Sequence, residues 1–175
     1  LVAASAEQLA LADDSVDVIS ALFVLYHTAN PVNALTELHR VLKPDGTLVV
    51  ATSGVHNKVW HRQFEQRIAR YLGIIPPPIF SEPFNADRAE ELLQEKFSID
   101  RHVVQDTEMH ITTETLGDYE ASLNTMKDSF VPIPRGREWM NAIGAVVMPE
   151  ITASIERVGH FSDHIERHYY ICSPQ

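Results

Sequence analysis

The sequence predicts an α/β fold, and three neighbouring patterns in its first third indicate that class. An apolar run of strand length ends at Tyr26-His27, a helical pattern follows Pro31, and a mostly apolar run covers Thr47 to Ala51. The last run is typical of a strand buried on both faces, as in a parallel sheet. The order strand, helix, strand therefore predicts a parallel β-α-β unit.

The helix of this unit is predicted from its start signal and its apolar spacing. Pro31 suits a first helical residue, because its φ is already helical and its missing N–H is not needed there. Asn30 before it is a favoured N-cap. The apolar stripe of the helix comprises Leu35, Leu38, Val41 and Leu42. The following Lys43-Pro44-Asp45-Gly46 predicts a turn, since proline presets one φ and glycine accepts a positive one.

Three phrases within residues 5–53 have the order and spacing of a known family. They are Ala6-Glu7-Gln8-Leu9 with Asp13-Asp14-Ser15-Val16-Asp17, then Tyr26-His27, then Arg40-Val41-Leu42-Lys43-Pro44-Asp45-Gly46. In these phrases the chain resembles the second half of a class I S-adenosylmethionine-dependent methyltransferase of the small-molecule "type 11" kind. The resemblance implies the C-terminal part of a Rossmann-like sheet, with inserted helices covering the acceptor side. It also implies S-adenosyl-L-methionine as cofactor and a small-molecule methyl acceptor.

The family's glycine-rich Gly-x-Gly-x-Gly turn, which holds the cofactor at a helix N-terminus, is not found in these 175 residues. We therefore expect one partial methyltransferase domain over residues 1–175 that lacks the N-terminal cofactor half. Its β-α-β core would span residues 1–53, and its helical cover and closing strands residues 54–175. The family's strand order, 3-2-1-4-5-7-6, would then leave the strand at residues 18–25 on a sheet edge. An apolar edge favours self-association or pairing with the missing half.

The resemblance also implies which residues meet the cofactor. Ser5 stands where the family has an aspartate that binds the adenine amino group, and the backbone of Ala6 would reach the ring. Leu22 and Phe23 lie near the carboxyl end of the strand, where open α/β sheets bind ligands. The alternatives left open are a plain loop residue for Ser5 and strand core for the two apolar side chains.

His27 is the candidate catalytic residue of this segment. An imidazole can take a proton from an acceptor hydroxyl or amine near neutral pH. A structural role is the alternative, because the family has a histidine here whatever its substrate. Tyr26 beside it is a candidate for the acceptor pocket. By resemblance, inserted helices add three further pocket candidates, for which core packing is the default explanation: Tyr119, Phe130 and Trp139.

Beyond residue 53, helical and extended patterns alternate. Helices are predicted over residues 55–72, over 85–96, from 113, and around Trp139 with a break at Pro149. Strands are predicted over residues 97–105 and 165–172, with a further short extended piece at 107–111. The first of these helices carries a basic face, interpreted as solvated or as holding an acidic substrate: Lys58, Arg62, Arg67 and Arg70.

Three histidines, His160, His164 and His168, are four residues apart, which on one helix would mimic a metal site. The pattern from Ile165 to Cys172 instead predicts a strand, which would remove His168 from such a helix. No carboxylate or cysteine stands at a supporting position. The sequence therefore predicts no metal site.

Composition narrows the functional class. The net charge of −10 argues against nucleic acid, the longest apolar run is too short to span a membrane, and one cysteine fits a reducing cytoplasm. The resulting hypothesis is methyl transfer from S-adenosyl-L-methionine to a small molecule, incomplete in this chain. The alternative is a non-catalytic fold remnant that acts as a dimerising or regulatory module. A nucleotide-binding oxidoreductase would share the sheet type but would not explain the phrase at residues 40–46.

Overall fold

The computed structural model describes residues 3–78 and 81–175. The apolar start at residues 1–4, whose sequence is typical of a strand tail, and the proline-rich run at residues 74–80, typical of a stiff connector or a pocket wall, lie partly outside the described residues. The described residues form four strands, which are separated by one, two or three helices. In chain order they are β1 (Val16–Leu22), α1 (Pro31–Val41), β2 (Leu42–Ser53), α2 (Val59–Leu72), α3 (Ala86–Gln94), β3 (Phe97–Ile111), α4 (Leu116–Thr125), α5 (Gly136–Val146), α6 (Met148–Val158) and β4 (Phe161–Pro174), with 3-10 turns at Leu25–His27, Glu82–Phe84 and Met126–Ser129.

The four strands form one mixed sheet in the order β1-β2-β4-β3. β1 and β2 are parallel and joined by α1, so the predicted β-α-β unit is present. β4 pairs antiparallel with β2. The order is the one that the resemblance implies for the last four strands of the family sheet. Within residues 3–78 and 81–175, β1 has β2 as its single strand neighbour, which places β1 on an edge.

Local sequence signals explain where the helices begin. The side chain of Asn30 accepts the N–H of Val32, and Pro31 occupies the first turn of α1. Asn85 caps α3 in the same way, by accepting the N–H of Arg88. The predicted cap at Asn30 is confirmed. The buried face of α1 contains Leu35, Leu38 and Val41 of the predicted stripe and also Ala34, whereas Leu42 is buried at the start of β2. The buried face of α3 comprises Ala89, Leu92 and Leu93.

The chain divides into two compact units, each with its own apolar core. Unit 1 comprises residues 1–57, 79–106 and 166–175, and unit 2 comprises residues 58–78 and 107–165. The core of unit 1 joins α1 and α3 to the sheet, with Leu35, Leu48, Leu93, Phe97 and Tyr170 almost completely buried. The core of unit 2 is built by helices α2, α4, α5 and α6 with the strand ends at Ile111 and Phe161.

The predicted turn at residues 43–46 is wrong, because this segment lies inside β2. Val16 pairs with Leu42 and Val18 with Thr47, so the register shifts and the extra residues form an irregularity in the strand. Gly46 is needed there because a Cβ at this position would stand about 2.7 Å from the side chain of Leu42. The proline and glycine of Lys-Pro-Asp-Gly therefore bend a strand edge and do not reverse the chain.

Several predicted bounds also move. β1 ends at Leu22, not at Leu25, and α2 begins at Val59, not at Val55. β3 is one strand that runs on to Ile111, and α4 begins three residues later than predicted, at Leu116. The break before Pro149 is confirmed, and α5 and α6 are separate helices there.

The three regularly spaced histidines do not share a helix. α6 ends at Val158, and β4 begins at Phe161, four residues earlier than predicted, so His164 and His168 both lie on a strand. Among the described residues, no cluster of three or more His, Cys, Asp or Glu side chains could hold a metal ion. The same residues contain no helix long and apolar enough to cross a membrane.

Candidate functional site

The carboxyl ends of β1 and β2 form one edge of unit 1, because the two strands are parallel. Phe23 leaves β1 with φ 54°, in the left-handed region that bulky residues seldom adopt. Its N–H still donates to the carbonyl of Ala51 at 2.9 Å, as a last bond to β2. This conformation turns the chain away from the sheet plane and places Leu22, Phe23 and Val24 at the rim. Strained backbone of this kind concentrates at functional sites.

The 3-10 turn after this rim presents Tyr26 and His27. Leu25 is buried in the core of unit 1, with 1% of its surface exposed, and anchors the turn. The hydroxyl of Thr28 donates to the carbonyl of Leu25 at 2.7 Å and closes it. The rings of Tyr26 and His27 pack at a centroid distance of 4.5 Å, which restricts how the exposed imidazole can turn. Partial burial raises the pKa of the Tyr26 hydroxyl above its ordinary value of 10.

Glu7 ties the N-terminal loop to the same end of unit 1. Its Oε1 accepts the N–H groups of Ala29 at 2.7 Å and of Asn30 at 3.2 Å, just before α1. Ser5 is therefore held near the turn that carries His27, and its Oγ accepts the N–H of Glu7 at 3.2 Å. The sequence analysis did not assign this role to Glu7. No local signal pointed to it, because Glu7 lies 22 and 23 positions from its two backbone partners.

Gly54 continues the edge where β2 ends. A Cβ on Gly54 would overlap the carboxyl group of Glu166, so glycine permits the close approach of strand β4. The N–H of Gly54 donates to the carbonyl of Glu166 at 3.0 Å. The Glu166 carboxylate accepts the N–H of His56 at 3.2 Å, and the Glu166 N–H donates to Oδ1 of Asn57 at 3.1 Å. Glu166 thus holds the turn at residues 54–57, a role that the sequence analysis also missed.

The three aromatic pocket candidates all lie in unit 2. Phe130 and Trp139 are fully buried, with ring centroids 5.2 Å apart, and Tyr119 is 8% exposed. The Tyr119 hydroxyl and the indole Nε1 of Trp139 are buried without a hydrogen-bond partner. Burial, with a smaller contribution from Asp163, raises the pKa of Tyr119. Core packing accounts for the three rings, and their pocket role remains a prediction.

Two of the four residues of the basic face predicted for α2 are committed to contacts within unit 2. Arg62 binds Glu65 at 2.7 Å and the carbonyl of Pro77 at 2.6 Å. Arg67 binds Glu150 at 2.5 Å and the carbonyl of Val146. Both interpretations of the basic face, a solvated surface and a site for an acidic substrate, therefore fail for Arg62 and Arg67, whose side chains are already paired.

The residues at the carboxyl edge fit only part of the implied cofactor. Leu22 and Val24 are 49% and 40% exposed, and an exposed apolar rim suits an adenine ring or a methyl thioether. The ribose hydroxyls would need a carboxylate, but Glu7 is committed to backbone N–H groups. No Gly-x-Gly-x-Gly turn occurs in the sequence. The described edge therefore offers the apolar flank of a cofactor site and not its ribose contacts.

The sheet order and the crossover helix define the class as a Rossmann-like α/β fold. Residues 1–50 match the family model described as "Methyltransferase domain". The predicted resemblance is thus confirmed over the segment that carries its phrases, and S-adenosyl-L-methionine is the implied cofactor. A search of the curated proteins gave no significant match.

Solved structures support the same fold over almost the whole chain. A proposed methyltransferase of Bacillus halodurans aligns with TM-score 0.58 and 16% identity, covering 97% of this chain and 75% of that one. The YcgJ protein of Bacillus subtilis gives 0.51 and 15%, covering 97% and 68%. The MccD protein gives 0.51 and 13%, covering 98% and 66%. At these identities the likeness shows the fold, and the chain spans two thirds to three quarters of these proteins.

Proposed function

We propose that this chain takes part in methyl transfer from S-adenosyl-L-methionine to a small molecule. The observation that carries the proposal is the strained carboxyl edge at Phe23, beside the Tyr26-His27 turn, within the segment that matches the methyltransferase domain. When bound, the cofactor supplies a methyl group on a sulfonium, which is already a good leaving group. Alignment of the acceptor with that methyl group is then the main requirement on the protein.

The roles of the chain's own residues follow from their placement in unit 1. Leu22 and Phe23 would pack against the apolar parts of the cofactor, and Ser5 and Ala6 would contact its adenine. His27 would orient the acceptor and take the proton from its hydroxyl or amine. Support for this role is that His27 is exposed and its ring packs against Tyr26.

A small-molecule acceptor suits the charge of the chain, which at −10 is unfavourable for phosphate backbones. Tyr26 is the proposed acceptor-pocket residue of unit 1, and Tyr119, Phe130 and Trp139 are separate pocket candidates of unit 2. The single cysteine favours a reducing compartment, so a cytoplasmic location is part of the proposal.

Calorimetric titration of S-adenosylhomocysteine into the purified chain tests the cofactor half of this proposal. We expect micromolar binding, and a folded sample without binding would contradict it. Methyl transfer to a panel of small hydroxyl and amine compounds tests the second half. His27→Gln should lower transfer while leaving S-adenosylhomocysteine binding intact. His110→Gln is the control, because His110 is also exposed but lies in unit 2. It should change neither methyl transfer nor S-adenosylhomocysteine binding.

A second candidate function is a non-catalytic module that pairs with a second copy of the chain. The observation favouring it is the edge position of β1 among the described strands, with Val18 62% and Leu22 49% exposed. An exposed apolar edge strand presents unpaired backbone groups to another chain. This function predicts self-association without methyl transfer, so light scattering together with the transfer assay distinguishes the two.

A further inference from the structure

Four side chains of unit 1 form a continuous chain of polar contacts across α3, β3 and β4. Glu90 Oε1 lies 3.1 Å from Nδ1 of His102. Nε2 of His102 lies 2.9 Å from Nδ1 of His168, and Nε2 of His168 lies 2.9 Å from Oε1 of Glu166. The sequence separates these residues by up to 78 positions, so only the fold brings them together. We call this set the Glu–His–His–Glu chain.

Stacking holds the two imidazoles in this arrangement. The ring of His102 lies 14° from parallel to that of Tyr170, at a centroid distance of 4.3 Å. The rings of His102 and His168 are 5.1 Å apart. Burial increases along the chain, because the exposed side-chain fraction falls from 51% for Glu90 and 29% for His102 to 12% for His168 and 17% for Glu166. The His168–Glu166 end is therefore the fixed end, and the Glu90 end is the solvated one.

Counting protons shows why this chain is sensitive to pH. Each of its three contacts is favourable only with a proton between the two atoms, whereas two neutral imidazoles carry two protons in total. All three contacts form together only when the histidine pair holds one additional proton. When that proton is absent, one of the three contacts is lost. The contact between Glu90 and His102 is the most exposed of the three, so it is the one that we expect to break.

We propose that the Glu–His–His–Glu chain positions the turn at residues 54–57, with His102 as its titrating member and His168 as a neutral Nε2–H donor. In the neutral pair, His102 donates through Nε2 to His168, and His168 donates through Nε2 to Glu166. Protonation then adds a hydrogen at Nδ1 of His102, which engages Glu90 and links α3 to β3. The proton comes from solvent and returns to it, and no covalent bond changes.

The titratable groups that contact the pair are Glu90 on α3 and Glu166 and Tyr170 on β4. Around them, the charge of Asp87 on α3 acts on Tyr170, and that of His56 in the turn acts on Glu166. Burial alone would raise the pKa of Glu166, but hydrogen bonds from His168 and from the His56 N–H outweigh burial and lower it. An ionised Glu166 is the acceptor that this arrangement needs.

The consequence for the molecule lies at the carboxyl edge. Glu166 uses one oxygen for His168 and the other for the N–H of His56, so the first contact fixes the direction of the second. The turn at residues 54–57 borders the same edge as Phe23. His168 would thus act on the candidate site through Glu166, as a positioning residue.

Histidine-resolved ¹H–¹⁵N spectra of the uniformly labelled chain test the proposal, from about pH 5 to about pH 8, where imidazoles titrate. We expect His168 to remain a neutral Nε2–H tautomer throughout, while His102 changes from imidazolium to Nε2–H. Glu90→Gln should move the His102 titration to lower pH and leave His168 unchanged. An Nδ1–H tautomer at His168, or independent titration of both histidines, would overturn the proposal.

Hydrogen exchange at the His56 amide supplies the second measurement. His168→Leu removes the donor to Glu166 and should accelerate this exchange by about fivefold or more, as expected for a weakened hydrogen bond. His110→Leu is the matched control, because it removes a stacked histidine of unit 2 and should leave the His56 amide unchanged. Equal exchange in both variants would contradict the positioning role. Neither measurement needs a cofactor, so both outcomes are independent of the proposed methyl transfer.

Discussion

Arg40 and Glu37, one turn apart on α1, form a two-pronged ion pair. Nε of Arg40 lies 2.9 Å from Oε2 of Glu37, and Nη2 lies 2.5 Å from Oε1. The pair also holds the loop before β1, because Glu37 accepts the N–H of Leu9 and Arg40 donates to the carbonyl of Leu11. Arg40, the first residue of the family phrase at residues 40–46, therefore has a structural role in fixing the loop before β1.

Because of this pair, the free energy of unfolding should decrease as the pH falls into the acid range. Hydrogen bonds from Arg40, and then from the Leu9 N–H, lower the pKa of Glu37 from about 4.5 to about 2. A lowered carboxyl pKa contributes stability that is present above the ordinary value and lost as pH falls through the folded-state value. Urea unfolding between about pH 4.5 and about pH 2 should therefore show a shallower loss of stability in Glu37→Gln than in the wild type. Glu91→Gln, an exposed change on α3, should keep the wild-type slope, and equal slopes in all three proteins would contradict the assignment.

Asp163 should contribute to the stability of unit 2 as the cap of α2. Its carboxylate is buried and accepts the N–H groups of Trp60 and His61 at 3.1 Å each, while Lys58 at the N-cap supplies no side-chain bond. Asp163→Asn keeps one acceptor oxygen but turns an NH2 donor toward one of the two backbone N–H groups. We therefore expect the free energy of unfolding to fall by about 1–3 kcal/mol. Chemical denaturation measures this change. Asp118→Asn, at the exposed start of α4, is the matched control, and equal effects would refute the capping role.

The apolar rim predicts where a cofactor binds. Leu22→Asp puts a charge on that rim and should weaken S-adenosylhomocysteine binding by at least about tenfold, because a charge against an apolar ligand is desolvated without a partner. Calorimetry gives the affinity. Val32→Asp is the control, since Val32 is also exposed but lies on α1. Unchanged binding in Leu22→Asp would exclude the rim from the cofactor site.

The edge position of β1 predicts self-association. We expect the apparent mass from light scattering to rise with concentration, and Val18→Lys to suppress that rise because a charge on an edge strand blocks pairing. Val32→Lys changes an exposed valine away from the edge and should leave the association intact. A wild-type chain that stays monomeric at all concentrations would refute the second copy as the partner.

Cys172 should be chemically silent in the folded chain. It is fully buried, and burial, with a smaller contribution from Asp100, raises the pKa of its thiol to about 12. The reactive thiolate is then scarce at neutral pH. A colorimetric thiol reagent should react slowly until urea unfolds the chain, whereas a Ser98→Cys variant on exposed β3 should react at once. Prompt reaction of Cys172 in the native chain would show that its site opens.

Much of the fold could be predicted from local pattern. α1 and α3 carry caps and apolar faces close together in sequence, so their starts and buried sides were predictable, and so was the β-α-β order. The structure of residues 43–46 could not be predicted, because proline and glycine at this spacing are compatible both with a chain reversal and with a β-bulge. Which of the two forms depends on whether β1 continues to pair alongside.

The candidate site divides in the same way. The sequence by itself determined that Ser5 precedes strand β1, that Leu22 lies near its end and that Phe23 and His27 come at or after its carboxyl end, because chain order places them there. Only the tertiary structure decided that Glu166 holds the turn after β2, that Asp163 caps α2 and that His102 meets His168. These contacts join residues 66 to 110 positions apart. Local propensity extends over a few residues, whereas such partners are chosen by the register of packed strands and by the need to bond every buried polar group.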